Sequence, residues 1–257
     1  MAGSYEDDLR LALELADIAD EITLARHRAS DLRVQTKPDL TPVTESDQAV
    51  ERALRERLAQ ARPDDSVVGE EYGVREGSGG RRWVIDPIDG TASYVRGMPT
   101  WSTLIALMAG DEVVLGLSSM PALGRRWWAH RGGGAFANGE PIQVSRVTGL
   151  ADAQMTWSGM EDWDAFGRLD DVIALGRACW RTRGIGDAWP YMMVAEGVAD
   201  IACDPAVSVW DIAAAKVIVE EAGGRLTDLS GADTATGESA LATNGLVHEA
   251  ALGFIGL

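Results

Sequence analysis

The chain contains 257 residues, of which 46% are hydrophobic and 25% charged, and its formal net charge is −17 at pH 7. Nucleic-acid affinity comes mostly from Lys and Arg, so this acidity argues against a nucleic-acid partner. The polar, acidic N-terminus and the absence of a run of about 18 apolar residues argue against a secretory signal and a membrane span. We therefore expect a globular cytoplasmic protein with neither nucleic acid nor a membrane as a partner.

The N-terminal third of the chain alternates between helical and extended patterns. Apolar residues at helical spacing predict a long amphipathic helix over 5–27. Two prolines in the segment 32–43 indicate a short hairpin or an extended arm. Thr44 and Asp47 form a capping-box pattern, which predicts that a second helix begins there.

The rest of the chain divides into a strand-rich part and a mixed part. Short apolar runs predict strands at 66–68, 83–85, 102–108, 112–118 and 126–130, and the short turns that join the last three favour an antiparallel sheet. Helical patterns follow near 163–178, 190–197 and 211–221. We expect an α/β fold with layered α+β character and two lobes, 1–150 and 151–257.

The most informative segment runs from Trp83 to Thr91. Its apolar start predicts a buried strand that delivers Asp86 and Asp89 to the edge of a sheet, where α/β proteins bind ligands. Pro87 predicts a stiff turn for both acids, and Gly90 with Thr91 can begin a helix whose free N–H groups face an anion. The pattern therefore indicates a metal and phosphate site. The alternative is an ordinary surface turn between two strands.

Acidic residues also follow strands or begin helices elsewhere, at Asp47, at Glu70 with Glu71, and at Asp211. Mg²⁺ prefers oxygen ligands, so a cluster of carboxylates without His or Cys suits Mg²⁺ better than Zn²⁺. Divalent cations would also let this acidic protein bind a phosphorylated metabolite. Each acid has a simpler interpretation as well, because Asp47 can complete a helix cap, Asp211 can favour a helix start, and Glu71 can be a solvated neighbour.

In this order, the acidic segments resemble the inositol monophosphatase superfamily over nearly the whole chain. The resemblance implies an αβαβα sandwich and a phosphomonoesterase that depends on two or three Mg²⁺ ions per active site. The N-terminal lobe would carry most metal ligands, and the C-terminal lobe would complete the site and the substrate pocket. The implied metal ligands are Glu70, Asp86, Asp89, Asp211 and the backbone carbonyl of Ile88.

The same resemblance implies catalytic and substrate-binding roles. Lys37, Thr44 and Asp47 match a Lys, a Thr and an Asp of the family pattern. Thr91 with Asp47 would polarise the attacking water, and Glu70 with Thr91 would orient it. Lys37 can also be an exposed loop charge. The implied phosphate- and substrate-binding residues are Lys37, Asp89, Gly90, Thr91, Arg183, Asp187, Asp204 and Asp211.

Segments outside the acidic pattern resemble the actinobacterial histidinol-phosphatase branch of the superfamily, namely 91–101, 104–107 and 125–128. Gly-Asp at 186–187 fits the same branch. This resemblance implies hydrolysis of L-histidinol phosphate to L-histidinol and phosphate in histidine biosynthesis. The substrate carries an ammonium and an imidazole, so acids such as Asp187 and Asp204 near the leaving group are chemically sensible.

Other functions stay open at this point. The chain departs from the usual branch pattern at Ala92-Ser93 and at Trp189-Pro190, near the expected mouth of the site, and Arg183 can bind substrate or pair with a surface acid. An inositol monophosphatase or a broader sugar and nucleotide phosphatase is the alternative enzyme. A non-catalytic metal- or phosphate-binding regulator, or a structural protein with solvated acids, is the alternative of another class. The resemblance also implies a homodimer.

Overall fold

The computed structural model describes residues 5–38 and 40–256. The helices in this part of the chain are α1 (Glu6–Arg26), α2 (Glu45–Ala61), α3 (Thr91–Val95), α4 (Met160–Ala165), α5 (Leu169–Ala178), α6 (Trp189–Ala195), α7 (Val209–Glu221) and α8 (His248–Ile255). The strands are β1 (Val34–Thr36), β2 (Pro42–Thr44), β3 (Ser66–Gly69), β4 (Gly73–Arg75), β5 (Arg81–Asp89), β6 (Ser102–Ala109), β7 (Glu112–Met120), β8 (Arg125–His130), β9 (Gly134–Ala137), β10 (Glu140–Pro141), β11 (Gln154–Trp157), β12 (Arg181–Gly184), β13 (Ile201–Asp204), β14 (Arg225–Thr227) and β15 (Ala240–Thr243).

The strands form two larger sheets and one hairpin. The first sheet has eight strands in the order β10-β9-β8-β7-β6-β5-β3-β4, and its neighbours are antiparallel except for β3 and β5. The second sheet has five strands in the order β12-β11-β13-β15-β14, and β11 is parallel to both of its neighbours. The strands β1 and β2 pair as an antiparallel hairpin. The predicted hairpin and the predicted antiparallel sheet at β6 to β8 are therefore confirmed.

Helices and sheets alternate in five layers. α1 and α2 cover one face of the first sheet, with Leu15 and Leu54 in one cluster with Trp83 and Ile85. α6 and α7 fill the space between the two sheets, and α5 and α8 cover the outer face of the second sheet. Adjacent residues of one strand serve opposite layers, since side chains alternate across a sheet. The expected αβαβα sandwich is confirmed.

α7 lies unusually close to the first sheet. A Cβ atom at Gly116 of β7 would lie 2.4 Å from the Ala214 carbonyl oxygen, so only glycine permits this approach. The helix thereby brings its first turn beside the end of β5. The strands of the first sheet lie between residues 66 and 141, and those of the second sheet lie between 154 and 243. However, α7 packs against both sheets. The two-lobe division near residue 150 therefore stays a prediction.

Local details differ from the sequence-based expectations in two places. The helix expected over 163–178 is two helices, because Gly167 adopts a positive φ of 67° between them. Asp86 and Asp89 do not follow the strand in a turn but lie within it, since β5 continues to Asp89 through a shift in its pairing with β6. The capping box of α2 and the helix start at Thr91 are confirmed. None of the described helices has the length and apolar character that crossing a bilayer requires.

Candidate active site

Three carboxylates meet where β5 ends and α7 begins. One oxygen atom each of Asp86, Asp89 and Asp211 lies within 4.8 Å of the others. In a regular strand, residues three apart point to opposite faces, so Asp86 and Asp89 could not converge. The shift in pairing between these two residues removes this obstacle, as strand irregularities next to active sites commonly do. Pro87 lies at this irregularity, where its missing N–H costs no ladder hydrogen bond.

Burial makes the negative charges of this cluster costly. Burial and the charges of Glu70 and Asp89 raise the pKa of Asp86 well above its usual value. Burial and the charges of Asp187 and Asp211 do the same to the pKa of Asp89. Burial raises the pKa of Asp211 to about 6. In addition, Asp86 Oδ1 is buried without a hydrogen-bond partner. An unpaired oxygen in an all-carboxylate donor set fits a hard divalent cation such as Mg²⁺.

Hydrogen bonds from the surrounding scaffold hold two of these carboxylates in place. Asp89 Oδ2 accepts hydrogen bonds from Ser102 Oγ at 3.0 Å and from the Ala188 backbone N–H at 2.8 Å. Asp211 Oδ2 accepts one from the Ser208 N–H at 2.6 Å, within the capping box of α7. Partners of this kind fix the orientation of metal-ligating groups.

Glu70 lies at the edge of the cluster and has a cationic partner. Lys37 Nζ lies 2.7 Å from Glu70 Oε1 and 2.6 Å from Glu71 Oε1. Burial lowers the pKa of Lys37, but these two hydrogen bonds outweigh it and raise the pKa above its usual value. Glu71 is not a solvated neighbour, because its side chain is 6% exposed and burial raises its pKa to about 7. The buried Glu51 accepts the N–H groups of Glu71 and Tyr72, which anchors the turn that carries Glu70.

A chain of hydrogen bonds leads from Thr44 to Thr91. The backbone N–H and the hydroxyl of Thr44 both donate to Asp47 Oδ2. Thr91 Oγ1 lies 3.0 Å from Asp47 Oδ1 and 2.9 Å from the Ile88 carbonyl oxygen. The single hydroxyl hydrogen of Thr91 can be donated to only one of these two oxygen atoms. The other oxygen atom remains free to bind a further ligand. Burial raises the pKa of Asp47.

A cavity of about 590 Å³ opens onto the carboxylate cluster and Thr91. Of the described residues that line it, eight are acidic and none is Lys, Arg or His. Lys37, Thr44 and Asp47 are not among these lining residues. Arg183 lies on the exposed edge strand β12, where its side chain contacts the Thr182 carbonyl, and does not line the cavity. The predicted site residues that do line it are Glu70, Asp86, Ile88, Asp89, Gly90, Thr91, Asp187, Asp204 and Asp211.

A larger groove, of about 860 Å³, lies between α1, α2 and the β1–β2 hairpin. Thr44 is the residue that this groove shares with the predicted site. Arg26 and Arg33 line the groove, and both pair with Glu45. The groove therefore lacks the concentrated, unpaired acids that a metal site needs, and we assign the chemistry to the smaller cavity.

Two further buried acids line the same cavity beside the carboxylate cluster. Asp187 adopts a positive φ of 62° and lies so close to Gly90 that a Cβ there would be 2.7 Å from Asp187 Oδ2. Asp204 ends β13 and accepts a hydrogen bond from the Tyr191 hydroxyl. Burial raises the pKa of Asp187 and of Asp204 to about 6. The sequence resemblance predicts that Asp187 and Asp204 lie near the leaving alcohol, and we therefore call them the alcohol-side acids.

Sequence reasoning missed several residues around the cavity. Ser102 and Tyr191 hold site carboxylates, and Glu161 with Asp162 adds two exposed acids at the rim. Ser102 lies opposite Asp89 in the β5–β6 register, which no local pattern shows. The acidic pair begins α4, where acids are common for reasons of helix stability alone.

Comparison with known proteins points to one family over nearly the whole chain. The model of the inositol monophosphatase family matches residues 5–253. A histidinol-phosphatase from Streptomyces coelicolor is 52% identical over 260 residues, which cover 98% of this chain and 97% of that protein. A histidinol-phosphatase from Mycobacterium tuberculosis is 50% identical, with 96% of each chain covered.

Solved structures agree with these sequence matches. The Thermotoga maritima IMPase superposes with a TM-score of 0.88 at 30% identity and covers 97% of this chain and 96% of its own. An inositol monophosphatase from Zymomonas mobilis superposes with a TM-score of 0.87 at 31% identity, covering 98% and 99%.

Proposed function

The chain belongs to the inositol monophosphatase family, and from this premise we propose that it is a magnesium-dependent phosphatase that hydrolyses L-histidinol phosphate to L-histidinol and phosphate, a step of histidine biosynthesis. The observation that carries this proposal is one cavity lined both by the carboxylate cluster and by two further buried acids outside it, the alcohol-side acids. The two histidinol-phosphatases at 52% and 50% identity support the choice of alcohol.

Two or three Mg²⁺ ions would be held by Asp86, Asp89, Asp211, Glu70 and the Ile88 carbonyl. When bound, these ions neutralise the buried acids and stabilise negative charge on the phosphate and on the leaving oxygen. The unpaired Asp86 Oδ1 and the scaffold bonds to Asp89 support this assignment. Glu70 can join the set by exchanging its bond to Lys37, which keeps Glu71 as a second partner.

Thr91 and Glu70 would orient the attacking water. If Thr91 donates to Asp47, the lone pairs of its hydroxyl oxygen face the cavity and can accept a hydrogen from water. Thr44 fixes Asp47 through two hydrogen bonds, so the Asp47 carboxylate cannot rotate away from Thr91. The residues thus position a nucleophile for in-line attack on phosphorus, and no covalent phosphoenzyme is needed. A protein that only binds phosphate has no need to orient an attacking water.

The alcohol-side acids match a leaving group that carries positive charge. Histidinol has an ammonium and an imidazole, and charge-assisted hydrogen bonds to carboxylates are the strong ones. The neutral hydroxyls of inositol would leave Asp187 and Asp204 without a charged partner in a cavity whose described lining has no basic residue. Hydrolysis of inositol 1-phosphate, or of sugar and nucleotide phosphates, is the second candidate, because the similar solved structures include inositol monophosphatases.

Phosphate release distinguishes the two candidates. We expect kcat/KM for L-histidinol phosphate to exceed that for inositol 1-phosphate by about 100-fold, as expected when buried charged groups lose a partner. The activity should vanish with EDTA and return with Mg²⁺. A clear preference for inositol 1-phosphate would contradict the assignment of the alcohol, whereas activity that survives EDTA would contradict the metal mechanism.

We also propose that the protein acts in the cytoplasm as a homodimer. The cytoplasm is where a phosphorylated biosynthetic intermediate would be met, and the dimer rests on resemblance to the family. Light scattering on the purified protein would measure the mass directly, and 27.4 kDa would contradict the dimer.

A further inference from the structure

The cavity wall that faces the leaving alcohol depends on a buried tyrosine. Tyr191 is 2% exposed and lies on α6, and its hydroxyl donates a hydrogen bond to Asp204 Oδ2. Asp204 is itself 8% exposed and lines the cavity. Tyr191 also lines the cavity beside Asp204, and its hydroxyl occupies one of the two carboxylate oxygens.

This contact limits what Asp204 can do. A buried aspartate without such a partner can turn either oxygen toward any available donor. With Tyr191 in place, one oxygen is fixed, and the other, which has the Ser158 side chain near it, can bind a ligand in the cavity. A tyrosine side chain has only two rotatable bonds, and burial restricts them further, so the hydroxyl of Tyr191 is held in place. The carboxylate is thus prepared before the ligand arrives, which lowers the ordering cost of binding.

The same short segment also contacts the metal end of the cavity. Asp187 lines the cavity, the N–H of Ala188 donates to Asp89, and Tyr191 follows one turn later. Loss of the tyrosine hydroxyl leaves the Ala188 bond intact, because that donor is backbone. An effect of Tyr191 should therefore fall on recognition of the alcohol and spare the metal site.

We propose that Tyr191 is a positioning residue for specificity, which orients Asp204 so that its free oxygen binds the cationic part of the leaving alcohol. This inference rests on the proposed function. It assigns no contact between Tyr191 and the substrate. It assigns the discrimination between cationic and neutral alcohols to the Tyr191–Asp204 pair.

The test compares Tyr191→Phe with the wild type on two substrates at saturating Mg²⁺. L-Histidinol phosphate carries the cationic groups, and β-glycerophosphate lacks them. We expect KM for L-histidinol phosphate to rise about tenfold with kcat nearly unchanged, and KM for β-glycerophosphate to stay within about twofold. Equal losses on both substrates, or no change on either, would overturn the inference.

A double-mutant cycle measures the coupling between Tyr191 and Asp204 in KM, which a tyrosine with a merely structural role would not show. Asp204→Asn keeps an acceptor for the Tyr191 hydroxyl and removes the charge, so it should raise KM for L-histidinol phosphate by itself. In the Asp204→Asn background, Tyr191→Phe should add little, because both changes act on one contact. Additive effects would overturn the inference, as would an unchanged KM in Asp204→Asn.

Tyr94→Phe is the matched control. Tyr94 is also fully buried, and its hydroxyl donates to the Thr23 carbonyl, away from the cavity wall. The ratio of kcat/KM between the two substrates should stay as in the wild type. If the wild type itself does not prefer L-histidinol phosphate, the proposed function fails together with the inference. If the wild type shows the preference and Tyr191→Phe keeps it, the inference alone fails.

Discussion

Two groups of aspartates line the cavity, and we call them its metal end and its alcohol end after the roles proposed for them. At the metal end, oxygen atoms of Asp86, Asp89 and Asp211 lie within 4.8 Å of one another, and Asp89 and Asp211 are held by hydrogen bonds from the scaffold. At the alcohol end, Asp187 and Asp204 are outside this set and face open volume. Aspartates whose oxygen atoms converge on one point suit a small cation, and the proposed function assigns the two aspartates outside this set to an organic cation.

A change at the metal end is expected to have the largest effect and to test the difference between the two ends most strongly. Asp89→Asn removes a charge from the cluster, and we expect kcat/KM to fall roughly 1,000-fold for every phosphomonoester, because the loss affects the phosphate and not the alcohol. Mg²⁺ affinity by titration calorimetry should fall in parallel. Asp111→Asn, on an exposed turn between β6 and β7, is the control. Retained activity in Asp89→Asn would refute the metal assignment.

A change at the alcohol end should behave differently. Asp187→Asn removes the charge and keeps the positive φ, which asparagine tolerates well. We expect KM for L-histidinol phosphate to rise about tenfold, because a charge-assisted hydrogen bond is lost. Turnover of β-glycerophosphate should change by less than about twofold. Equal losses on both substrates would remove the distinction between the two ends.

When metal is absent, the acids at both ends of the cavity should make the protein less stable as the pH rises. The pKa values of Asp187, Asp204 and Asp211 are raised to about 6 from 3.8. These acids bind protons more tightly when folded, so they stabilise the protein at low pH, and the contribution is lost as the pH rises through about 6. We expect the Tm in EDTA to fall by roughly 5 °C between about pH 5 and about pH 7.5.

The control for this pH effect is Mg²⁺ itself. Because the metal binds ionised carboxylates, the gain in Tm on adding Mg²⁺ should increase over the same pH interval. Asp211→Asn should show a shallower fall in EDTA. A Tm in EDTA that rises with pH in scanning calorimetry would show that these acids are not protonated in the folded protein.

The smallest effect is expected at Arg183. Its side chain lies on an exposed strand edge outside the cavity, so Arg183→Ala should change kcat/KM for L-histidinol phosphate by less than about twofold. A loss of tenfold or more in steady-state assays would bring Arg183 into substrate binding, as the sequence resemblance suggested.

Local sequence patterns are sufficient to predict the residues of the metal end. The residues of the alcohol end meet only through tertiary contacts, which local patterns do not show. Asp86 to Thr91 form one contiguous segment, and the Thr44–Asp47 cap can be recognised within four residues. The convergence of Asp86 and Asp89 was predicted for a turn, although it depends on a shift within β5 that arises from pairing with β6.

The alcohol end could not be predicted with the same detail. Tyr191 and Asp204 meet only because α6 packs against the second sheet, and neither residue has a local signature for this contact. Asp204 was selected through its chemistry, but its partner could not be. In the same way, Ser102 reaches Asp89 through strand register across β5 and β6. Contacts between distant segments need the fold before they can be recognised.

The most direct test of the two-ended cavity is a crystal structure with Mn²⁺ in place of Mg²⁺ and L-histidinol phosphate bound to an inactive variant such as Thr91→Val. Anomalous scattering should place Mn²⁺ among the carboxylates of Asp86, Asp89 and Asp211. The ammonium or the imidazole should lie within hydrogen-bond distance of Asp187 or Asp204. Metal bound at another place, or a ligand whose cationic groups point away from both alcohol-side acids, would contradict this account.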